Sequence, residues 1–209
     1  MNLDAAESAG RFRVVYDEAR VVVVDKESGV AIEDVARSCG RRLVHRIDKL
    51  TSGLVVLADD ARTVQRMQRM LRDGRLTRRY LFVAHGVVDG GVVESELVRD
   101  RGDGLRGSGA GGKRAVTTIE PLVVAADRRA TLGIATLETG RTHQIRIHLA
   151  ERGAPICGER VYVRDYVARC GSVLSSPRLL LHAWELRFVH PTTKRAVTLV
   201  ADPPPDFCS

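Results

Sequence analysis

The chain has 209 residues, of which 44% are hydrophobic and 28% are charged, a balance that excludes a disordered protein and indicates one globular domain. The formal net charge is +7, and all but four of the 33 basic residues are arginines. Because guanidinium groups bind phosphate through paired hydrogen bonds, this excess favours a nucleic acid partner, although a GC-rich genome would also produce it.

Most of the predicted secondary structure is β-strand. The domain is expected to cover residues 1–209, with its core at 10–203. Alternating or Val-rich segments predict three hairpins, which are 12–16 with 20–25, 77–86 with 91–98, and 115–124 with 129–137. Further strands are predicted at 54–58, 179–189 and 196–200, before a C-terminal tail at 201–209.

Two helices are predicted, at 61–73 and 142–152, and each of these periodic segments ends at a glycine. The segment 99–112 is too rich in glycine and charge to pack, so we expect a long mobile loop there. Since hairpins outnumber crossover units, the predicted class is α+β, with a mainly antiparallel mixed β-sheet and flanking helices.

The first predicted helix has two different faces. One face is apolar and is expected in the core, with Val64, Met67, Met70 and Leu71. The opposite face and the strand that follows carry six arginines, offset by Asp73 alone: Arg62, Arg66, Arg69, Arg75, Arg78 and Arg79. This group favours a surface that follows nucleic acid phosphates, and the alternative is an ordinary solvated face.

A polar turn leads directly into a buried strand at residues 45–53, with the sequence His45-Arg46-Ile47-Asp48-Lys49-Leu50-Thr51-Ser52-Gly53. This order places Asp48 at the mouth of the sheet, where neighbouring hydroxyl groups can hold its carboxylate. Asp48 is therefore a candidate catalytic residue. The alternative is a structural aspartate that forms an Asx turn.

The second helical pattern has a basic residue on its apolar side. In the segment Thr139-Gly140-Arg141-Thr142-His143-Gln144-Ile145-Arg146-Ile147-His148-Leu149, Arg146 points the same way as Ile145 and Leu149. An unpaired buried charge is very costly, so Arg146 needs a carboxylate, and Asp48 is the candidate. Two alternatives stay open, since Arg146 could reach solvent or meet a structural acid such as Glu138.

Arg78, Arg79 and Tyr80 begin a predicted strand. A tyrosine beside arginines can stack on a base while the arginines hold its phosphates, and the alternative is a half-buried structural tyrosine. The largely apolar segment 179–191 is expected to belong to the core.

Several chemistries have no support in the sequence. The four cysteines form no C-x-x-C pair, and His143 and His148 are badly spaced for one helix face, so no metal site is expected. No phosphate-binding or dinucleotide-binding glycine motif occurs, so no nucleotide cofactor is expected. The sequence also has no apolar signal segment and no long apolar run, so a cytoplasmic protein without membrane contact is expected.

Six segments, in this order, resemble the signature motifs of the RluA branch of the RNA pseudouridine synthases. They are 45–53 (H-R-L-D-x-x-T-S-G), 78–80 (K-x-Y), 112–117 (G-K-x-A-x-T), 139–148 (T-G-R-T-H-Q-I-R-x-H), 153–159 (G-x-P-I-x-G-D), and 181–183 with 190–191 (L-H-A…H-P). The resemblance runs from about residue 14 to 203. It implies the pseudouridine synthase catalytic fold and the isomerisation of uridine to pseudouridine in structured RNA, either rRNA or tRNA, without metal or cofactor.

The resemblance also implies roles for single residues. Asp48 would be the essential catalytic residue, acting at C1′ of a flipped nucleotide as nucleophile or as base. Tyr80 would pack on the base, Arg146 would pair with Asp48, and Arg46 would fill the space that the flipped base leaves. The full set of residues expected to bind RNA is His45, Arg46, Thr51, Arg62, Arg66, Arg69, Arg78, Arg141 and His143.

The chain departs from the family pattern at three places. Lys26-Glu27-Ser28-Gly29 stands for K-P-x-G, Arg78 stands for a lysine, and Glu159 stands for an aspartate. No N-terminal S4-like RNA-binding domain is expected, so the catalytic domain alone would hold the RNA. The arginine face of the first helix and the loop at 99–114 are the candidate contacts.

Two other functions are weighed against this one. The first is a non-catalytic RNA-binding or chaperone protein on the same fold, against which the joint presence of Asp48, Tyr80 and Arg146 argues. The second is an acid–base hydrolase that uses Asp48 and His45, for which no second carboxylate or oxyanion motif is present. A monomer is expected because no apolar helix stripe is left over.

Overall fold

The computed structural model describes residues 12–207 of the chain. Its contacts divide these residues into a first unit, 12–79 with 182–206, and a second unit, 80–181 with 207. The strands are β1 (Phe12–Glu18), β2 (Val21–Lys26), β3 (Arg42–Leu43), β4 (Ser52–Ala58), β5 (Leu76–His85), β6 (Gly91–Val98), β7 (Gly107–Ser108), β8 (Lys113–Val124), β9 (Ala130–Leu137), β10 (Leu181–Val189) and β11 (Ala196–Val200). The α-helices are α1 (Ile32–Ser38), α2 (Ala61–Arg72), α3 (Gln144–Glu151) and α4 (Arg164–Cys170), and a 3-10 turn follows at Pro205–Phe207.

The first unit is built around two strands that are buried along almost their whole length. Strand β4 is buried at every residue, and the Val21–Val24 part of β2 is no more than 1% exposed. The order is β1-β2-β4-β10, with β3 on β4 and β11 on β10. The β1–β2 hairpin is the one predicted, with a register shift between Val14 and Tyr16. Continuous apolar runs suit such strands because both faces are covered.

Helix α2 covers the core of the first unit with its predicted apolar face. Met67 and Met70 are buried in the same cluster as strand residues such as Leu54 and Val56. The helix begins where the Asp60 side chain accepts the backbone N–H of Thr63 at 2.8 Å, an N-cap bond. Its amphipathic pattern therefore places the three arginines Arg62, Arg66 and Arg69 in solvent.

A close backbone approach joins β4 and β10 in parallel, with Gly53 opposite Ala183. Gly53 has a φ of +104°, and a Cβ at this position would overlap the backbone of Ala183. Both conditions can be met by glycine because it has no side chain. The β4–β10 pairing therefore requires glycine at position 53, directly after Ser52.

The second unit has the strand order β5-β9-β8-β6-β7. The β8–β9 hairpin is the one predicted, and it contains a register shift between Pro121 and Val123. Helix α3 packs against this sheet, and its first six residues, Gln144–Leu149, are all buried. This burial explains why α3 lacks the polar face of a surface helix.

The predicted hairpin between 77–86 and 91–98 is wrong, because β6 pairs with β8. Strands β9 and β8 lie between β5 and β6 in the sheet order. The connection after β5 bonds to β9 and its turn, since Gly86 N–H donates to Arg129 O at 2.7 Å and Val88 N–H donates to the Thr131 hydroxyl at 3.2 Å. The sequence pattern identified the two strands but carried no information on their pairing partners.

Most of the segment 99–112 is a loop between β6 and β8, as predicted, but the expectation that it cannot pack is wrong. Residues Gly107 and Ser108 form β7 on β6, and Gly109 N–H donates to Glu96 O at 2.9 Å. The C-terminal tail packs as well, since Ala201 and Phe207 are each 1% exposed, while residues 208–209 lie outside the described part. Glycine lets this loop approach its neighbours closely, which composition alone does not reveal.

Helices α1 and α4 were missed for a shared reason. The N-cap residues, Ala31 and Val163, make no side-chain cap bond, so neither helix has a start signal in the sequence. The α+β class with a mainly antiparallel mixed sheet is nevertheless confirmed. None of the helices in residues 12–207 combines the length and the apolar composition that a membrane crossing needs.

We expect Gly53→Ala to lower the free energy of unfolding by about 3 kcal/mol or more, because the new Cβ meets backbone that cannot move without breaking the β4–β10 pairing. The matched control is Gly74→Ala, where φ is +68° but no atom lies within 4 Å of the new Cβ. The control should lose about 1–2 kcal/mol. Urea denaturation measures both, and equal losses would show that the close approach is unimportant.

Candidate functional site

The loop that carries Asp48, residues 45–53, is a tight turn at the entrance of β4. Thr51 N–H donates to Asp48 O at 3.0 Å, and Ser52 is already the first residue of the strand. Asp48 itself is half-buried. The chain order therefore places this carboxylate at the mouth of the sheet, as predicted, and the turn fixes its backbone.

The buried ammonium group of Lys26 holds one end of this loop through hydrogen bonds to backbone carbonyls. Lys26, only 1% exposed, donates from Nζ to the carbonyls of Glu27 at 2.8 Å, Val30 at 2.9 Å and Lys49 at 3.2 Å. Gly29 N–H adds a second bond to Lys49 O at 2.8 Å. A buried charge needs such complete solvation by protein dipoles. The residue next to Asp48 is thereby tied to the end of β2.

The same segment makes a further bond to the Asp48 loop, from the Ser28 hydroxyl to Leu50 O at 2.7 Å. Residues 26–30 thus bond to both residues that follow Asp48. The sequence showed this segment as a departure from the family pattern, and gave no sign that it holds the loop. Pairing of a turn with a distant backbone carbonyl has no local sequence signal.

A buried Ser–His pair lies at the start of β4. The Ser52 hydroxyl lies 2.8 Å from His182 Nδ1, and His182 Nε2 lies 3.0 Å from Ala201 O. Both side chains are 1% exposed. Because the carbonyl of Ala201 only accepts, Nε2 carries the proton and Nδ1 accepts from Ser52. The segment 179–191 was predicted as core, and these contacts are those of a core strand.

His45 is held as a neutral imidazole. Its Nε2 accepts the N–H of Val56 at 3.2 Å. Burial, helped by the nearby charge of Arg78, lowers the pKa of His45 to about 3. A neutral imidazole gives no charge attraction to phosphate, and so weak a base is a poor partner for Asp48 in acid–base hydrolysis.

The other predicted site residues of the first unit differ widely in exposure. Thr51 is 1% exposed, and its hydroxyl has no hydrogen-bond partner within residues 12–207. Arg78 is 6% exposed, whereas the Arg46 side chain is 69% exposed and only 3.5 Å from Glu33. Arg46 therefore remains able to reach a ligand, while Thr51 and Arg78 lie below the surface.

The six arginines predicted on one edge do not form one patch. Arg78 is buried, Arg75 pairs with Asp73 at 2.7 Å, and Arg79 pairs with Glu185 at 3.3 Å. The Arg79 guanidinium also lies 5.3 Å from the centre of the Trp184 ring. The α2 face keeps three exposed arginines, Arg62, Arg66 and Arg69, and the Arg75 side chain is also 62% exposed beside Asp73.

In the second unit, Arg146 is buried as the helical pattern predicted, with 4% of its side chain exposed. Its guanidinium forms two bonds to Glu159, from Nε to Oε2 at 2.7 Å and from Nη2 to Oε1 at 2.8 Å. Tyr162 covers the same group, with its ring centre 5.3 Å away. The alternative that Arg146 reaches solvent is therefore wrong. The structural acid that it meets is Glu159 and not Glu138, which pairs with Arg114.

Glu159 is itself fully engaged. Its Oε1 also accepts the backbone N–H groups of Arg160 at 2.9 Å and Val161 at 2.8 Å. Burial alone would raise the pKa of Glu159, but the hydrogen bonds and charge of Arg146 and the backbone N–H groups lower it below its ordinary value. Glu159 was noted in the sequence as a replacement for aspartate, and its pairing was not foreseen.

The start of α3 is a polar network. His143 occupies the N-cap position with a φ of +60° and makes no side-chain cap bond, and its Nδ1 lies 2.7 Å from the Tyr162 hydroxyl. Gln144 donates to Val116 O and accepts the N–H of Arg141. The segment 139–144 is thus fixed on the sheet, with the Arg141 side chain exposed.

Tyr80 is more buried than its sequence position suggested. It lies in β5 and is 5% exposed. The alternation of exposure along Leu76–Ala84 follows the period of a strand with one covered face. A tyrosine in this environment has a fixed ring, which is needed for stacking but is equally expected of a core residue.

A sequence model of the RNA pseudouridylate synthase family matches residues 20–151, more than half of the chain. The chain belongs to the RNA pseudouridylate synthase family. The matched range contains Asp48, Tyr80 and Arg146. It ends before Glu159, the partner of Arg146.

Members of this family with similar sequences come from several bacteria. A ribosomal large subunit pseudouridine synthase D of Neisseria meningitidis is 32% identical over 93% of this chain and 59% of its own length. An uncharacterized RNA pseudouridine synthase of Bacillus subtilis is 31% identical over 95% of this chain and 70% of its own length. The chain therefore spans about 60% to 70% of the length of these relatives.

Solved structures of the family support the same fold. Human RNA pseudouridylate synthase domain containing 1 superposes with a TM-score of 0.75 at 25% identity, covering 93% of this chain and 84% of that chain. Human RNA pseudouridylate synthase domain containing 4 gives a TM-score of 0.74 at 22% identity, covering 99% and 93%. The predicted pseudouridine synthase catalytic fold is confirmed.

We expect Lys26→Met to lower the free energy of unfolding by about 1–3 kcal/mol, since buried carbonyls lose their donor. It should also speed amide exchange at Thr51, whose N–H closes the Asp48 turn. The control is Lys194→Met, which removes one exposed ammonium bond to Pro191 O. Urea denaturation and hydrogen exchange measure the two effects. Unchanged exchange at Thr51 would show that Lys26 does not hold this loop.

We expect Glu159→Gln to lower the free energy of unfolding at pH 7 by about 3 kcal/mol, because the buried Arg146 loses its counter-charge. The folded-state pKa of Glu159 is lowered, so its contribution is complete above its unfolded pKa and is lost as the pH falls through the folded value. The gap between wild type and variant should therefore narrow in acid. Glu138→Gln, which breaks an exposed pair, should cost about 1 kcal/mol or less at any pH. A gap that stays constant in acid would contradict the assignment.

Proposed function

We propose that the chain converts uridine into pseudouridine in RNA, with large-subunit ribosomal RNA as its substrate. The observation that carries this proposal is the family match over residues 20–151, which includes every residue proposed below for catalysis. The ribosomal substrate is supported by the relatives that are named large subunit pseudouridine synthases. A ribosomal RNA substrate would also support a cytoplasmic location for the protein.

In this proposal Asp48 is the catalytic residue. The N1–C1′ bond of the uridine breaks, the base turns and a C5–C1′ bond forms; the C5 proton leaves while N1 gains a proton, so the composition is unchanged and no other reactant is consumed. Asp48 acts at C1′, either as nucleophile or as base. The fixed turn that holds Asp48, and its position at the entrance of β4, support this role because catalytic groups need a rigid backbone.

Tyr80 and Arg146 complete the proposed catalytic set. Tyr80 packs on the base and helps to remove the C5 proton, and its fixed position in β5 supports this role. Arg146 is the third member of the proposed set. The bidentate bond to Glu159 and the Tyr162 ring hold the guanidinium in one plane, which supports a role that depends on its orientation.

The target uridine has to leave its stack before it can react, at a cost of a few kcal/mol. We propose that Arg46 enters the space that the base leaves. Its side chain is 69% exposed, and its 3.5 Å contact with Glu33 is weak enough to exchange for RNA. The exposed arginines of α2 are proposed to hold phosphates of the same RNA.

We expect Asp48→Asn to abolish pseudouridine formation while RNA binding stays within about twofold, because the amide keeps the shape but cannot attack or take a proton. The assay treats cellular RNA from a strain that lacks the gene with purified protein and maps new pseudouridines. The control is Asp34→Asn, an exposed aspartate on α1 that pairs with Arg37, and it should retain full activity.

New sites with wild type and with Asp34→Asn, but not with Asp48→Asn, would establish the activity and name the substrate. New sites with Asp48→Asn would refute the role of Asp48. RNA binding without any new site from wild type would favour the alternative of a non-catalytic RNA-binding protein on the same fold.

A further inference from the structure

A groove of about 540 Å³ in the second unit is lined by four cationic side chains. They are Arg99, Arg106, Lys113 and Arg141. Within residues 12–207, no acidic and no aromatic side chain lines this basic groove. Like charges held around one cavity raise its positive potential and attract an anion.

The acids of the neighbouring loop are engaged elsewhere. The Asp100 carboxylate accepts the N–H groups of Gly102 and Gly104, at 2.8 and 2.9 Å. Asp103 binds Arg101 at 3.0 Å and Arg164 at 2.6 Å. These bonds remove both acids of the segment 99–112 from competition for the groove cations.

Arg114, which follows the groove residue Lys113, shows the contrast. Its guanidinium pairs with Glu94 at 2.7 Å and with Glu138 at 2.6 Å. Among the described residues, Arg99, Arg106 and Lys113 form no ion pair. These three side chains therefore contribute no ion pair to the stability of the fold, and they lie together in the basic groove.

The walls of the groove are already built. Gly112 lies so close to the Leu97 backbone that a Cβ there would overlap it. Ser108 is tied to Glu151 of α3 through its N–H at 2.8 Å and its hydroxyl at 2.6 Å. Arg141 Nε donates to Arg114 O at 2.9 Å, which orients that guanidinium. A ligand would therefore find a prepared surface, with little loop ordering to oppose binding.

We infer that the basic groove binds the phosphodiester backbone of RNA and supplies affinity that is independent of sequence. Guanidinium and ammonium groups recognise phosphate oxygens, and a site without an aromatic side chain has nothing on which to stack a base. The inference rests on the proposed function insofar as RNA is the ligand.

The test compares two triple variants of the full chain that lose the same charge. The groove variant is Arg99→Gln with Arg106→Gln and Lys113→Gln. The control variant is Arg128→Gln with Arg129→Gln and Arg152→Gln, three exposed residues of the second unit outside the groove lining. Fluorescence anisotropy follows binding to a labelled RNA stem-loop of about 30 nucleotides between about 50 and 300 mM KCl, and thermal unfolding confirms that both variants fold.

For the groove variant we expect an affinity loss of roughly 10- to 100-fold near 100 mM salt. We also expect the slope of log K against log salt to flatten by about two to three, one for each phosphate that the protein no longer neutralises. The control should change affinity no more than about threefold. Equal losses in both variants, or an unchanged slope in the groove variant, would overturn the inference. Competition by uridine monophosphate as strong as that by RNA would also overturn it, because the groove would then be a mononucleotide site.

A parallel activity assay separates this inference from the proposed function. With wild type active, the groove variant should raise KM for RNA and leave kcat unchanged, since it touches no reacting atom. A groove variant with normal KM and normal binding would sink the inference and leave the pseudouridine synthase proposal standing. If the wild type is inactive but its salt-dependent RNA binding disappears in the groove variant, the inference stands and the pseudouridine synthase proposal is refuted.

Discussion

The buried ammonium of Lys26 is the interaction on which the Asp48 loop depends. A charge that is 1% exposed is tolerated because backbone carbonyls from residues 27, 30 and 49 replace its water. Those carbonyls converge only when the end of β2 and the loop after Asp48 hold one conformation. The loop then enters β4, whose seven residues are all buried, so its far end is fixed as well. Asp48 is therefore held between two rigid ends.

The local sequence pattern predicted much of the fold. It failed where strand pairing depends on residues that are distant in the sequence. Val-rich and alternating segments identified β1, β2, β8 and β9, and the helical period identified α2 with its apolar face. The predicted pairing of β5 with β6 was wrong because these two strands, although consecutive in the chain, are separated in the sheet by β9 and β8. Helices α1 and α4 have no capping side chain, so nothing in the sequence marked their starts.

The candidate site shows the same division. The helical period predicted that Arg146 is buried, because that depends on residues within one turn. Its partner Glu159 lies 13 residues further along, beyond the end of α3, and could not be deduced from that period. The neutral state of His45 likewise depends on enclosure and on the charge of Arg78. Candidate residues could thus be named from motifs, while their partners and protonation depended on tertiary contacts.

The position of β10 in the chain has a consequence for synthesis. Ser52 pairs with His182 across 130 residues, and β10 closes the side of β4 opposite β2. A ribosome must therefore add 130 residues after Ser52 before β4 gains its neighbour β10. Such a contact of large sequence separation forms late and slows folding. A nascent chain that stops short of β10 carries Asp48 on an incomplete sheet, so β4 gains this neighbour only after β10 has been synthesised.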